Sequence, residues 1–162
     1  MGSADDISEV ASEGFGSAAE AYERGRPSYP DDLVAWLVER LGVAPGRAVL
    51  DLAAGTGKLT RLLLPTGADL VAIEPVDAMR DQLLRACPGV EAIAGTAESI
   101  PRADASVDAV TVAQAFHWFE PGPALTEIAR VLRPGGALGI AFNERDVREP
   151  WVAELSRLIR WD

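Results

Sequence analysis

Two acids and two glycines carry the chemistry that this sequence can do. The apolar run Val49-Leu50 reaches Asp51, passes through Leu52-Ala53-Ala54-Gly55-Thr56-Gly57 and opens into a helical pattern at Lys58. About 20 residues on, the apolar run Leu70-Val71-Ala72-Ile73 ends in Glu74. A strand ending in an acid, a tight glycine turn, a helix and a second strand capped by an acid is the pattern of a nucleoside-binding βαβ unit. Glycine lets the backbone approach a ligand closely, because it has no Cβ. An acid closing the second strand accepts hydrogen bonds from a ribose diol.

Spacing tests which ligand fits. A dinucleotide fingerprint wants G-x-G-x-x-G, and the third glycine position holds Thr60, which speaks against an NAD-linked oxidoreductase. In a phosphate loop Leu59 would stand where Ser or Thr ligates magnesium, and Leu52 where the first glycine belongs, so that reading fails. What remains resembles motif I of the class I S-adenosylmethionine-dependent methyltransferases, D-x-G-x-G-x-G, with Ala53 at the first glycine position. A methyl group there removes freedom to adopt positive φ.

The resemblance extends from about Phe15 onward, and is greatest to the methyltransferase type 11 branch, with its ubiquinone/menaquinone and trans-aconitate methyltransferases. It implies that Asp51, Ala53, Gly55, Thr56 and Gly57 form the cofactor turn, that Glu74 binds the ribose, that Pro75 beside it also contacts the cofactor, and that Met79 packs on the adenine. Gly95-Thr96-Ala97-Glu98-Ser99-Ile100-Pro101 resembles the loop that edges the adenine, through Ala97 or Glu98. Gln114-Ala115-Phe116-His117-Trp118-Phe119 resembles motif IV, and Leu132-Arg133-Pro134-Gly135-Gly136 the turn before the fifth strand. The amino-terminal resemblance implies a lid in which Tyr22 and Arg26 touch the methionine end of the cofactor. Family members continue with a substrate-covering insertion and two more strands; this sequence is expected to lack both, leaving the fifth strand as an open edge suited to homodimerisation.

Methyl transfer from a sulfonium is an in-line displacement on an activated carbon, so positioning and water exclusion carry most of the catalysis. No catalytic triad is therefore required. Asp51 either accepts from the cofactor's ammonium, directly or through water, or caps the turn and the following helix. Glu98 either caps a short helix or edges the adenine. His117, the only histidine, is the candidate catalytic residue: a general base, a group that orients a substrate carboxylate, or packing between Phe116 and Trp118. Trp118 and Phe119 read first as core, and otherwise as a pocket wall or a cation–π contact with the sulfonium. Asp104, Asp108, Glu144 and Asp146 lie spread over loops without metal-ligand spacing, so no metal site is expected.

These residues need a scaffold. Periodicity predicts helices over 31–41, 58–64, 77–87 and 147–159, a further one carried by Leu125, Ile128, Ala129 and Leu132, and strands over 48–52, 69–74, 90–94, 107–114 and 137–142. Residues 1–16 read as a flexible start, 17–23 as a short helix, and 17–162 as one cofactor-binding domain, incomplete at its carboxyl end. Alternating strands and helices predict an α/β fold: a Rossmann-like three-layer sandwich, mostly parallel, with five strands present. The ligand belongs at the carboxyl ends of the strands, at the switch point beside the first. The 162 residues suit one domain, by the prior of about 100–200 residues. A net charge of −10 argues against nucleic acid or an anionic membrane as partner and leaves a small-molecule methyl acceptor. One cysteine, Cys87, permits no intrachain disulfide; with neither signal peptide nor apolar span, a cytoplasmic protein is expected.

Overall fold

Four of the five strand segments are apolar on both faces, as a strand covered from two sides must be. In the computed structural model, which describes residues 27–159, they form one parallel sheet. The elements in chain order are α1 (Asp31–Leu41), β1 (Ala48–Leu52), α2 (Lys58–Leu63), β2 (Asp69–Ile73), α3 (Asp77–Ala86), β3 (Glu91–Ile93), β4 (Val107–Ala113), α4 (Pro121–Val131), β5 (Leu132–Ala141) and α5 (Pro150–Leu158). Short 3-10 turns follow α2, at Leu64–Thr66, and β4, at Phe116–Trp118. The strand order is β3-β2-β1-β4-β5, all parallel, the expected Rossmann-like α/β sandwich. The chain runs outward from β1 to β3 and then returns to β4 on the other side. The switch point therefore lies between β1 and β4.

Alternation along the strands divides the core. Val49, Leu70, Ala72 and Ala109 face α1, α2 and α3, where Leu37, Leu41, Leu59, Leu63 and Leu83 meet them. Leu50, Leu52, Val71, Ile73, Val110 and Val112 face α4, through Ala124, Ile128 and Val131. Each fully buried Leu, Ile or Val stabilises the fold by about 1.5–3 kcal/mol. Gly139 of β5 admits α1: a Cβ there would lie 2.8 Å from Leu41 Cδ1. α1 starts after Pro30 with Asp31 and Asp32 in its first turn and stops at Gly42, whose φ of 63° suits a left-handed cap.

The predicted bounds hold to within one to three residues for most elements. The exception is β5, which begins at Leu132 rather than Ala137. Leu132 pairs with Val107 and Ala137 with Ala109, so Arg133-Pro134-Gly135-Gly136 bulges out of a strand already begun. Gly135 takes φ 81° there, and Arg133 turns back to Asp108 at 2.7 Å. Leu132 thus belongs to the strand and not to the helix before it. Asp108 is also not a loop residue: it is the second residue of β4, 7% exposed, and accepts from Ala48 N at 2.8 Å. Among the described residues β3 and β5 are the sheet edges, and no helix is long and apolar enough to cross a membrane. The expectations for residues 1–16 and 17–23, and for Tyr22 and Arg26, lie outside the described residues.

Candidate functional site

The site grows from the register of β1 and β4. Asp51 pairs with Thr111 across the parallel ladder, so both side chains emerge on the face that α2 covers. α2 adds Thr60 from its first turn. The Thr60 hydroxyl donates to Asp51 Oδ2 at 2.5 Å, and the Thr111 hydroxyl to Oδ1 at 2.9 Å. Asp51 is 1% exposed. Burial pushes its carboxyl up to about 6, against the opposing pull of the Thr60 and Thr111 hydrogen bonds.

Between β1 and α2 the chain turns sharply at Ala53-Ala54-Gly55-Thr56-Gly57. Ala53 takes φ 54° although it is not glycine. The alanine has therefore not prevented the left-handed conformation that the sequence argued against; it holds it at a steric cost of about 1–2 kcal/mol. Across the cleft, Gln114 takes φ 59°, with its backbone N–H donating to Ala141 O at 2.8 Å. Two left-handed non-glycine residues facing one cleft are an observation that periodicity does not reveal, and such strain clusters at functional sites.

The two glycines differ in role. A Cβ on Gly57 would lie 2.9 Å from Leu83 Cγ and 3.2 Å from Cys87 Sγ, so Gly57 lets α3 pack against the turn. A Cβ on Gly55 would meet only Met79 Sδ, at 3.9 Å. Gly55 leaves its face of the turn open, with the buried Met79 behind it.

Glu74 follows β2 directly and is 4% exposed. Its Oε2 accepts from Gly55 N and its Oε1 from Val76 N, each at 2.9 Å. Burial raises its proton affinity, the two amides lower it, and the nearby Asp51 charge raises it again. A carboxylate has about four acceptor sites, so each of the two acids keeps capacity for a ligand.

Asp51, Ala53, Gly55, Thr56 and Gln114 line a single open cleft of about 360 Å³, solvent included, together with Tyr29 and Lys58. Pro75 is exposed beside Glu74. Ala97 and Ala115 are buried in the apolar cluster on the α4 face. Glu98 caps a helix, though not one of its own: its Oε1 accepts from Glu120 N at 3.0 Å, just ahead of α4. Arg130 and Glu127 fix the same loop, with Glu127 Oε2 accepting from Ile100 N at 2.9 Å and Arg130 donating to Ile100 O at 2.9 Å.

His117 sits exposed on the 3-10 turn after β4, its ring 4.8 Å from Trp118 and 5.9 Å from Phe142. Its neighbours are thus Trp118 and Phe142 rather than Phe116. Trp118 is not core: it is 49% exposed, because the turn directs it away from the α4 face while Phe116 and Phe119 pack there. Among the described residues no group of three or more His, Cys, Asp or Glu is placed to hold a metal. Sequence reading missed Thr60 and Thr111 as partners of Asp51, and Tyr29 and Lys58 as cleft residues. The available signal was a threonine interrupting the apolar run of β4.

Residues 50–140 match the family model described as a methyltransferase domain. An uncharacterised methyltransferase of Mycobacterium tuberculosis is 55% identical over 148 residues, covering 91% of this chain and 59% of that protein. A demethylmenaquinone methyltransferase of Renibacterium salmoninarum is 41% identical over 106 residues, 65% of this chain and 45% of that protein. The chain thus spans under two thirds of the length of these relatives. Among solved structures, that of a proposed type II methyltransferase from Anaeromyxobacter dehalogenans superposes with a TM-score of 0.66 at 35% identity, covering 82% of this chain and 56% of that one. The cyclase SpnF superposes with a TM-score of 0.62 at 29% identity, covering 72% and 47%.

Proposed function

The chain belongs to the methyltransferase-domain family, and on that premise we propose that it binds S-adenosyl-L-methionine and transfers the methyl group to O, N or C of a small-molecule acceptor. One observation carries the reading: two buried carboxylates, Asp51 and Glu74, flank a glycine turn that is open at Gly55, at the carboxyl ends of β1 and β2. The donor set fits the cofactor. Asp51 is an anion at the base of the cleft for an ammonium, Glu74 an acceptor for a ribose diol, and Met79 an apolar surface for a base. The family match also speaks against the NAD-linked alternative.

When bound, the cofactor supplies a methyl group already activated on a sulfonium. The chain's own part is to bind and to orient. In this reading Asp51 fixes the amino-acid end, Gly55 lets the backbone reach the ligand, and Glu74 holds the ribose while tethering the turn. Gln114 closes the cleft on the β4 side. His117 lies beyond it, exposed beside Trp118 and Phe142, where it would meet the acceptor and take its proton. Pro75, Ala97 and Glu98 would border the base.

A second reading is cofactor binding without methyl transfer. The likeness to a cyclase favours keeping it, since one fold hosts different chemistries. Incubation with methyl-labelled cofactor and a panel of small hydroxyl, amine and activated-carbon acceptors separates the two. Label in an acceptor supports transfer; binding without label, in this chain and in one extended to the relatives' length, supports the second.

A further inference from the structure

Asp108 and Glu127 are held in one way, and Asp51 in another. Asp108 accepts from the Ala48 amide and the Arg133 guanidinium, with Arg47 at 3.3 Å. Glu127 accepts from the Ile100 amide and from Arg130. Amides and guanidinium groups only donate, so both carboxylates are held in the charged form, and their proton affinities are lowered accordingly. Asp51 is different. It too accepts from one amide, that of Thr60, but its side-chain partners are the hydroxyls of Thr60 and Thr111, which donate or accept as they rotate. The same geometry serves a carboxylate, with both hydroxyls donating, and a carboxylic acid, with one hydroxyl accepting its proton.

We propose that Asp51, Thr60 and Thr111 form a proton-exchanging receptor: at mildly acidic pH Asp51 carries a proton in the ligand-free protein and releases it to solvent when the cofactor's ammonium binds. The inference rests on the cofactor reading above. The balance is simple. A neutral carboxyl and an ammonium become an ion pair, and one proton leaves for solvent. Thr60 and Thr111 are positioning residues that keep the carboxyl aimed in both states.

Other titratable or charged groups lie on the neighbouring elements. α2 carries Lys58, which lines the cleft, and Arg61, which does not, and Tyr29, ahead of α1, lines the cleft with its phenol side chain. The end of β2 brings Glu74, whose proton affinity the Asp51 charge raises. α1 carries Asp31, Asp32, Glu39 and Arg40, all exposed. β4 and β5 bring the neutral Gln114 and Gly139 to this region. Glu74 is the one neighbour that could mimic the effect, but it touches neither threonine, so substitutions at 60 and 111 reach its protons only through the charge on Asp51.

The test is calorimetric titration with S-adenosylhomocysteine, which keeps the ammonium, in pairs of buffers of different ionisation enthalpy. Proton release follows from the dependence of the heat on the buffer. Half to three-quarters of a proton, roughly, is expected per ligand at pH 5.5, and less than about a tenth at pH 7.5. Thr60→Val and Thr111→Val each remove a donor to the carboxylate and should release more protons than wild type at pH 6.5; Thr60→Ser should match wild type. The two valine variants act from different elements, so failure of one to fold leaves the other. Saturable binding at pH 5.5 with no proton released overturns the inference and leaves the cofactor reading standing. Release that ignores both valine substitutions also overturns it, and assigns the proton to Glu74. Absence of binding at either pH overturns both.

Discussion

The Gly55 amide donates to Glu74 Oε2 at 2.9 Å, tying the most open point of the turn to the end of the neighbouring strand. The other carboxylate oxygen accepts from Val76 N, so one side chain orders both the β1–α2 turn and the start of α3. Glu74→Ala strips this tether and leaves two part-buried amides without their acceptor. It should weaken S-adenosylmethionine binding by about 1–3 kcal/mol, a loss typical of unsatisfied buried groups. Wild-type affinity in the variant, measured by titration, would remove Glu74 from the site.

Gly55 and Gly57 should part company on substitution. Gly57→Ala drives a methyl group against Leu83 and Cys87 and forces alanine to φ 82°; a stability loss of about 2–4 kcal/mol is expected in urea unfolding. Gly55→Ala has room, and should lose only about 1–2 kcal/mol for its φ of 58°. Its methyl group instead fills the open face, so its larger effect should fall on cofactor affinity. The reverse ranking in unfolding and binding would contradict the roles assigned.

Asp51 weakens the ligand-free fold near neutrality. Its folded-state value of about 6 lies above the ordinary 3.8. The folded protein therefore binds the proton more tightly than the unfolded chain, and the Asp51 contribution is fully present below pH 3.8 and lost as pH rises through 6. Glu74, also raised, acts in the same direction. Asp108 and Glu127, both lowered, act oppositely, their contributions fading as pH falls. The difference between Asp51→Asn and wild type isolates the first group. The variant should gain stability relative to wild type from pH 4 to pH 7, by an amount of order 3 kcal/mol, while binding cofactor more weakly. A pH-independent difference in unfolding free energy would refute the assignment.

Much of this was legible from residues alone, and the failures have physical causes. The strands β1, β2 and β4 and helix α1 were readable because their apolar periodicity and stop signals agree with the tertiary structure. Asp51 and Glu74 were readable because an acid at the end of a buried strand has few other uses. Thr60 and Thr111 were not: their meeting with Asp51 depends on the β1–β4 register and on where α2 lands, and neither is local in sequence. The left-handed Ala53 and Gln114 were hidden for a related reason, since side-chain propensity argues against a conformation that surrounding structure imposes. The early start of β5 escaped because a Pro-Gly-Gly run signals a turn, whether that turn precedes a strand or bulges from one.

Ala53 gives a small check on that strain. Ala53→Gly relieves a left-handed alanine but loosens the unfolded chain, so stability should change by less than about 1 kcal/mol. Cofactor affinity should be unchanged, because the backbone already holds the conformation that glycine favours. A large loss of affinity would show that the Ala53 methyl group itself contacts the ligand.

His117 is exposed and lies outside both core clusters, so His117→Asn should unfold within about 0.5 kcal/mol of wild type. If it serves the acceptor, turnover should fall while S-adenosylhomocysteine affinity stays unchanged. Unchanged turnover across the pH range would leave it as a surface ring packed on Trp118 and Phe142.

The proposed function requires that the cleft lined by Asp51 and Gly55, whose turn Glu74 tethers, receives a nucleoside cofactor carrying an ammonium group. Calorimetric titration of this chain with S-adenosylmethionine, S-adenosylhomocysteine and NADH tests it most directly. Saturable one-to-one binding of the first two and none of NADH is expected. Binding of NADH alone, or of none of the three, would contradict it.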